Sequence, residues 1–96
     1  MTFVVTAKWT AKPGEEDRIA RICSEMTEPS RAEPANRFYQ AHRSGEDPRL
    51  FYLYEQYDDE AGYEAHMASE HFTRLVQGEA IPNLTSRERE FYETLP

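Results

Sequence analysis

The sequence predicts an α+β protein of β-α-β-β-α-β order, the ferredoxin-like arrangement in which an antiparallel sheet carries both helical segments on one side. Three observations carry that prediction. Runs rich in β-branched and aromatic residues stand at both ends and in the middle of the chain, and a helix-periodic stretch follows the first of them. The two central runs flank the turn cluster "SGEDP", the mark of an antiparallel hairpin.

The elements follow in order. "TFVVTAKWT" (2–10) reads as a strand with Phe3, Val5, Ala7 and Trp9 on an apolar face and Val4, Thr6, Lys8 and Thr10 on a mixed one, stopped by Pro13 and Gly14. In "EEDRIARICSEMTEPSRAEP" (15–34) an acidic first turn favours a helix N-terminus, and Ile19, Ile22, Cys23 and Met26 recur at helical spacing. Pro29 is expected to end or kink that helix, with a further turn before Pro34. "NRFYQAHR" (36–43) and "RLFYLYEQYD" (49–58) form the hairpin. Leu50, Tyr52 and Tyr54 share one face of its second strand and Phe51, Leu53, Glu55 and Tyr57 the other, so neither face is plainly wet and both call for a cover. Asp58 and Asp59 are N-cap candidates for a helix over 60–67, and Ser69 for a second from Glu70 to about Ile81, where Pro82 breaks it. "SREREFYETL" (86–95) alternates as a fourth strand, with Phe91 and Tyr92 on opposite faces. Two helical segments cover one side of such a sheet, and the aromatic residues of the other side need a second copy of the chain.

A chain of 96 residues has room for one domain, 1–96, with a thin core. Its apolar content is held largely in one Trp, six Tyr and five Phe, side chains that also dominate subunit interfaces. The net charge of -7, with Arg87 and Arg89 interleaved by Glu88 and Glu90, argues against nucleic acid and anionic membranes. No run approaches the ~20 apolar residues of a membrane helix and the first residues lack a signal-peptide pattern, so a cytoplasmic location is expected. Cys23 is the sole cysteine, which excludes an intrachain disulfide and a multi-cysteine zinc site.

The chemistry-bearing stretch is "YEAHMASEHF" (63–72), which sets His66 and His71 five residues apart. On one continuous helix that spacing separates the two rings by about 140°, and no metal site is expected. Nucleophile elbows and phosphate or dinucleotide loops are absent. What remains is proton transfer to or from an aromatic ligand, with imidazole as the group that exchanges protons near neutral pH. His66, His42, Trp9, Tyr39 and Tyr54 are candidates to build such a pocket; the alternative is that the rings fill the core or a dimer interface.

"TAKWTAKPGEED", "YQAHRSGEDPRLFYLYEQYDDEAGYEAH" and "EAHMASEHF" resemble the antibiotic biosynthesis monooxygenase (ABM) domain, including small quinol monooxygenases. The most specific parts are H-x-x-S-x-H-F at His66, Ser69, His71 and Phe72, and Y-E-x-Y-x-D at Tyr54, Glu55, Tyr57 and Asp59. The resemblance implies a homodimer whose sheets pack as an α+β barrel, with a pocket in each subunit between sheet and helices. It also implies oxygenation of a quinol or polyphenol by dioxygen without flavin, haem or metal, so no cofactor is expected. Haem-using relatives carry a histidine and an asparagine where Val76 and Ala7 stand here, and a tryptophan at the place of His66.

On this basis His66 is expected as the catalytic base, with Glu55 orienting a histidine or tyrosine. Trp9, Tyr39, His42, Tyr54, His71 and Phe72 are the expected substrate-binding residues. For His71 a role at the helix start or in the dimer contact is the alternative, and for His42 solvent exposure. The competing functions are a non-catalytic ligand-binding or regulatory domain and an isomerase on the same scaffold.

Overall fold

The computed structural model describes residues 1–96 and has the expected order. Strand β1 (Phe3–Ala11) leads to helix α1 (Glu16–Arg31), the hairpin strands β2 (Asn36–Arg43) and β3 (Leu50–Tyr57), and helix α2 (Glu60–Met67). A π-helix (Phe72–Ala80) and a 3-10 turn (Ile81–Asn83) then lead into β4 (Leu84–Glu93). All pairings are antiparallel in the order β2-β3-β1-β4, with Val5 opposite Glu55 and Trp9 opposite both Phe51 and Arg87. This is the ferredoxin-like α+β fold. The sheet keeps two free edges, β2 and β4, so the chain does not close into a barrel by itself.

The helices cover one face only. Ile19, Ile22, Cys23 and Met26 of α1 and Phe72, Leu75 and Val76 of the π-helix pack on Trp9, Tyr39, Phe51 and Leu53, and all are buried. Each such side chain contributes roughly 1.5–3 kcal/mol by leaving water. A smaller cluster joins Val5, Tyr57 and Tyr63. The opposite face, expected from the sequence to be covered, is bare within the chain: Phe38, Tyr52 and Tyr92 are 47%, 37% and 51% exposed.

Three elements depart from expectation for physical reasons. Helix α1 runs through Pro29 to Arg31, because the Arg31 guanidinium donates twice to the Tyr39 carbonyl (3.0 and 2.8 Å) and ties the last turn to β2. The second helix of the pair widens from Phe72 onward into π-type bonding, with Ile81 N–H donating to the Val76 carbonyl. That wider turn buries Phe72, Leu75, Val76 and Ala80 together. Strand β4 starts two residues early because Leu84 pairs with Ala11 beyond a register shift at Thr10/Ala11. No helix is long and apolar enough to cross a membrane.

Candidate functional site

The site begins with the cap of α2. The Asp59 carboxylate accepts a hydrogen bond from Gly62 N–H (2.9 Å) and starts the helix. At Gly62 the helix touches the α1–β2 connection so closely that a Cβ would stand 2.7 Å from Ala35 Cβ. Asp58 N–H bonds the Ala35 carbonyl (2.9 Å) and holds that connection in place. The approach brings Glu33 against the last turn of α2, where His66 is 2% exposed.

Ser69 supplies the second turn of the site. Its hydroxyl donates to the His66 carbonyl (2.6 Å) and accepts from Phe72 N–H (3.2 Å), so one helix ends and another begins within three residues. The break swings His71 back toward His66, and their ring centroids lie 6.0 Å apart. Both imidazoles reach the same oxygen: His66 Nδ1 is 2.7 Å and His71 Nε2 2.6 Å from Glu33 Oε2. A carboxylate only accepts, so each of these nitrogens carries the hydrogen. The other nitrogen of His66, Nε2, faces Glu55 Oε1 at 3.7 Å, and Tyr57 OH donates to that oxygen (2.7 Å).

His66 therefore sits between two carboxylates inside a shell of rings. Tyr63 stacks on it (6.1 Å, 20°), Phe72 meets it edge-on (5.2 Å, 71°), and Tyr57 and Tyr39 stand at 5.4 and 5.9 Å. Burial raises the Glu55 carboxyl above its ordinary range, while His66 and the Tyr57 hydroxyl pull it back and Glu33 adds to the rise. Burial likewise raises the Tyr39 and Tyr57 phenols, so both stay protonated, and Tyr57 is a donor. The Cys23 thiol is pushed up to about 12 by burial and is no nucleophile.

The structure brings together His66, His71, Glu55, Tyr39 and Phe72. Trp9 lies in the main core, 4% exposed. Tyr54 and His42 lie elsewhere, on the bare face of the sheet. Tyr54 meets Phe38 edge-on (5.6 Å) and its hydroxyl accepts from Gln56 (2.8 Å), while His42 Nδ1 lies 3.1 Å from the Tyr52 carbonyl. Strand alternation forces this: with Glu55 and Tyr39 turned inward, Tyr54 and His42 point outward. The expected chamber between sheet and helices is filled by Trp9, Tyr39, Phe72 and their neighbours, and none of the five cavities is lined by His66. Adjacent to it is an open aromatic bay of about 410 Å³ lined by Phe3, Tyr63, Met67, Arg89 and Phe91 beside Glu60 and Glu64. Tyr63 is the shared wall, and its hydroxyl accepts from Arg89 (3.0 Å).

The sequence reading missed Glu33, Tyr63 and Arg89. Glu33 stands in an irregular segment, 33 residues before His66, and carries no local signal. It also changes the ligand inventory: Glu33, His66 and His71 present donor atoms within 4.8 Å of one another, although Glu33 is far from both histidines in sequence.

The profile of the antibiotic biosynthesis monooxygenase family matches residues 2–78. Among solved structures, protein PA3566 of Pseudomonas aeruginosa is 32% identical, with 99% of this chain and 95% of that one covered and a TM-score of 0.92. A protein described as an antibiotic biosynthesis monooxygenase is 28% identical (98% and 99% covered, TM-score 0.90). Protein Rv0793 of Mycobacterium tuberculosis, at 21% identity, shares the fold (100% and 97% covered, TM-score 0.91). No curated protein sequence matches. The chain belongs to the antibiotic biosynthesis monooxygenase family.

Proposed function

We propose that the protein is a cofactor-independent monooxygenase acting on a quinol or polyphenolic ring, with His66 as the base. The observation that carries this is the clamp on His66: Glu33 holds Nδ1–H at 2.7 Å while Nε2 is left free to take a proton. Glu33 fixes the orientation of the ring, and Glu55, itself held by Tyr57, stands on the other side. Once deprotonated, the electron-rich ring reduces dioxygen itself: the ring gives up four electrons, one oxygen atom enters it and the other leaves as water. The protein's part is to remove the proton, hold the ring and exclude water.

In this proposal the ring stacks in the bay of Phe3, Met67 and Phe91 and reaches His66 as Tyr63 swings aside. The working form is a homodimer joined through the bare sheet face, whose exposed Phe38, Tyr52 and Tyr92 match the aromatic character of stable interfaces.

The filled interior favours a second reading, a ligand-binding or regulatory domain without turnover. A third, an isomerase, draws on the same carboxylate–imidazole–carboxylate array, which both takes and returns protons. Oxygen uptake with a panel of hydroquinones separates the three. The oxygenase consumes dioxygen, and His66→Ala slows it by about 100-fold or more. Binding without uptake favours the regulatory domain, and conversion without oxygen favours the isomerase. Unchanged turnover in His66→Ala removes His66 from the mechanism.

A further inference from the structure

We propose that Glu33, His66 and His71 form a site for one divalent transition-metal ion of the zinc class. The donors are two imidazole nitrogens and one carboxylate oxygen, a set that suits zinc and its neighbours and leaves one coordination position open. They come from three separate segments and lie within 4.8 Å of one another. An ion bound at about 2.0–2.1 Å to each donor spaces them about 3.3 Å apart. Glu33 Oε2 now sits 2.7 and 2.6 Å from the two nitrogens, and the three atoms lie within 4.8 Å of one another, so the ion enters as the carboxylate draws back and the two imidazole nitrogens settle at that spacing.

Two further observations point to a ligand. Glu33 Oε1 is buried and has no hydrogen-bond partner, an unsatisfied acceptor on the same carboxylate that meets both histidines through Oε2. Behind His66, Glu55 Oε1 faces the ring nitrogen not directed at Glu33, at 3.7 Å. A carboxylate in that place fixes the tautomer and raises the basicity of a metal-bound imidazole. A route in also exists, since the His71 and Glu33 side chains keep 15% and 13% of their surface exposed. The break at Ser69 is what turns an unsuitable five-residue spacing into a convergent pair.

Ion and proton compete here. The ion takes the place of the two hydrogens now shared with Glu33 Oε2, and metal binding at Nδ1 switches His66 to its other tautomer, its single hydrogen moving to Nε2, facing Glu55. Occupancy and proton uptake at His66 therefore exclude each other, but the site itself stands on geometry and needs no assumption about turnover.

The test uses the full chain without an affinity tag, stripped with a chelator and titrated with Zn²⁺ by calorimetry and with Co²⁺ by visible absorption. One equivalent per chain is expected. His71→Ala and Glu33→Gln each weaken binding at least tenfold with circular dichroism unchanged, whereas the exposed pair Glu88→Gln/Glu90→Gln leaves it unchanged. On the unaltered chain, nitrogen NMR shows His66 Nδ1 and His71 Nε2 shifting on Zn²⁺ addition while His42 stays still. Absence of saturable binding, affinity in the two site variants equal to that of the unaltered chain, or shifts confined to His42 overturns the proposal.

Discussion

At the scale of single residues, one carboxylate organises the site. Glu33 Oε2 accepts from both His66 and His71, so removing it leaves two largely buried N–H groups without a partner. Glu33→Ala is expected to cost roughly 1–3 kcal/mol in urea denaturation, and an unchanged midpoint would show that the two hydrogen bonds carry no weight. Cys23 offers a second check at this scale. With its thiol pushed up to about 12 by burial, it stays protonated at pH 8 and should resist alkylation in the folded chain. Rapid labelling before unfolding would contradict that burial. The burial of Cys23 was legible in sequence, since it shares the helical apolar repeat of Ile19, Ile22 and Met26. Glu33 was not legible, because nothing about its neighbours in "RAEP" distinguishes it from a solvated loop acid.

At the scale of elements, the caps decide where the histidines point. Asp59→Ala removes the acceptor for Gly62 N–H and is expected to cost about 1 kcal/mol, read as a lowered melting temperature. Gly62→Ala sets two effects against each other. Alanine gains up to about 1 kcal/mol of helix propensity, but its Cβ would stand 2.7 Å from Ala35 Cβ, and overpacking costs roughly 1–3 kcal/mol. The clash should win, and a more stable Gly62→Ala would show that the α1–β2 connection yields. The strands, α2 and both caps were readable from the sequence because alternation, turn residues and N-cap chemistry are local. The course of α1 past Pro29 and the π-type widening after His71 were not, since tertiary ties to Tyr39 and to the core outweigh local preference there.

At the scale of the molecule, the sheet has one face under the helices and one without cover. Phe38, Tyr52 and Tyr92 on the bare face give the proposed homodimer its contact surface. Light scattering should return twice the chain mass, and Tyr52→Lys/Tyr92→Lys should lower it to that of one chain while preserving circular dichroism. A single-chain mass for the unaltered protein would leave the bare face without its proposed partner.

The sequence by itself determined the order of elements, the inward face of the first strand, the helix starts at Asp59 and Ser69, and the family. All of these rest on patterns a few residues long. Only the tertiary structure decided that Glu33 joins His66 and His71, that Tyr54 and His42 turn away, and that packed rings occupy the space between sheet and helices. Those outcomes depend on contacts between segments far apart in the chain, and on how much volume a set of side chains fills once the sheet and helices close on each other.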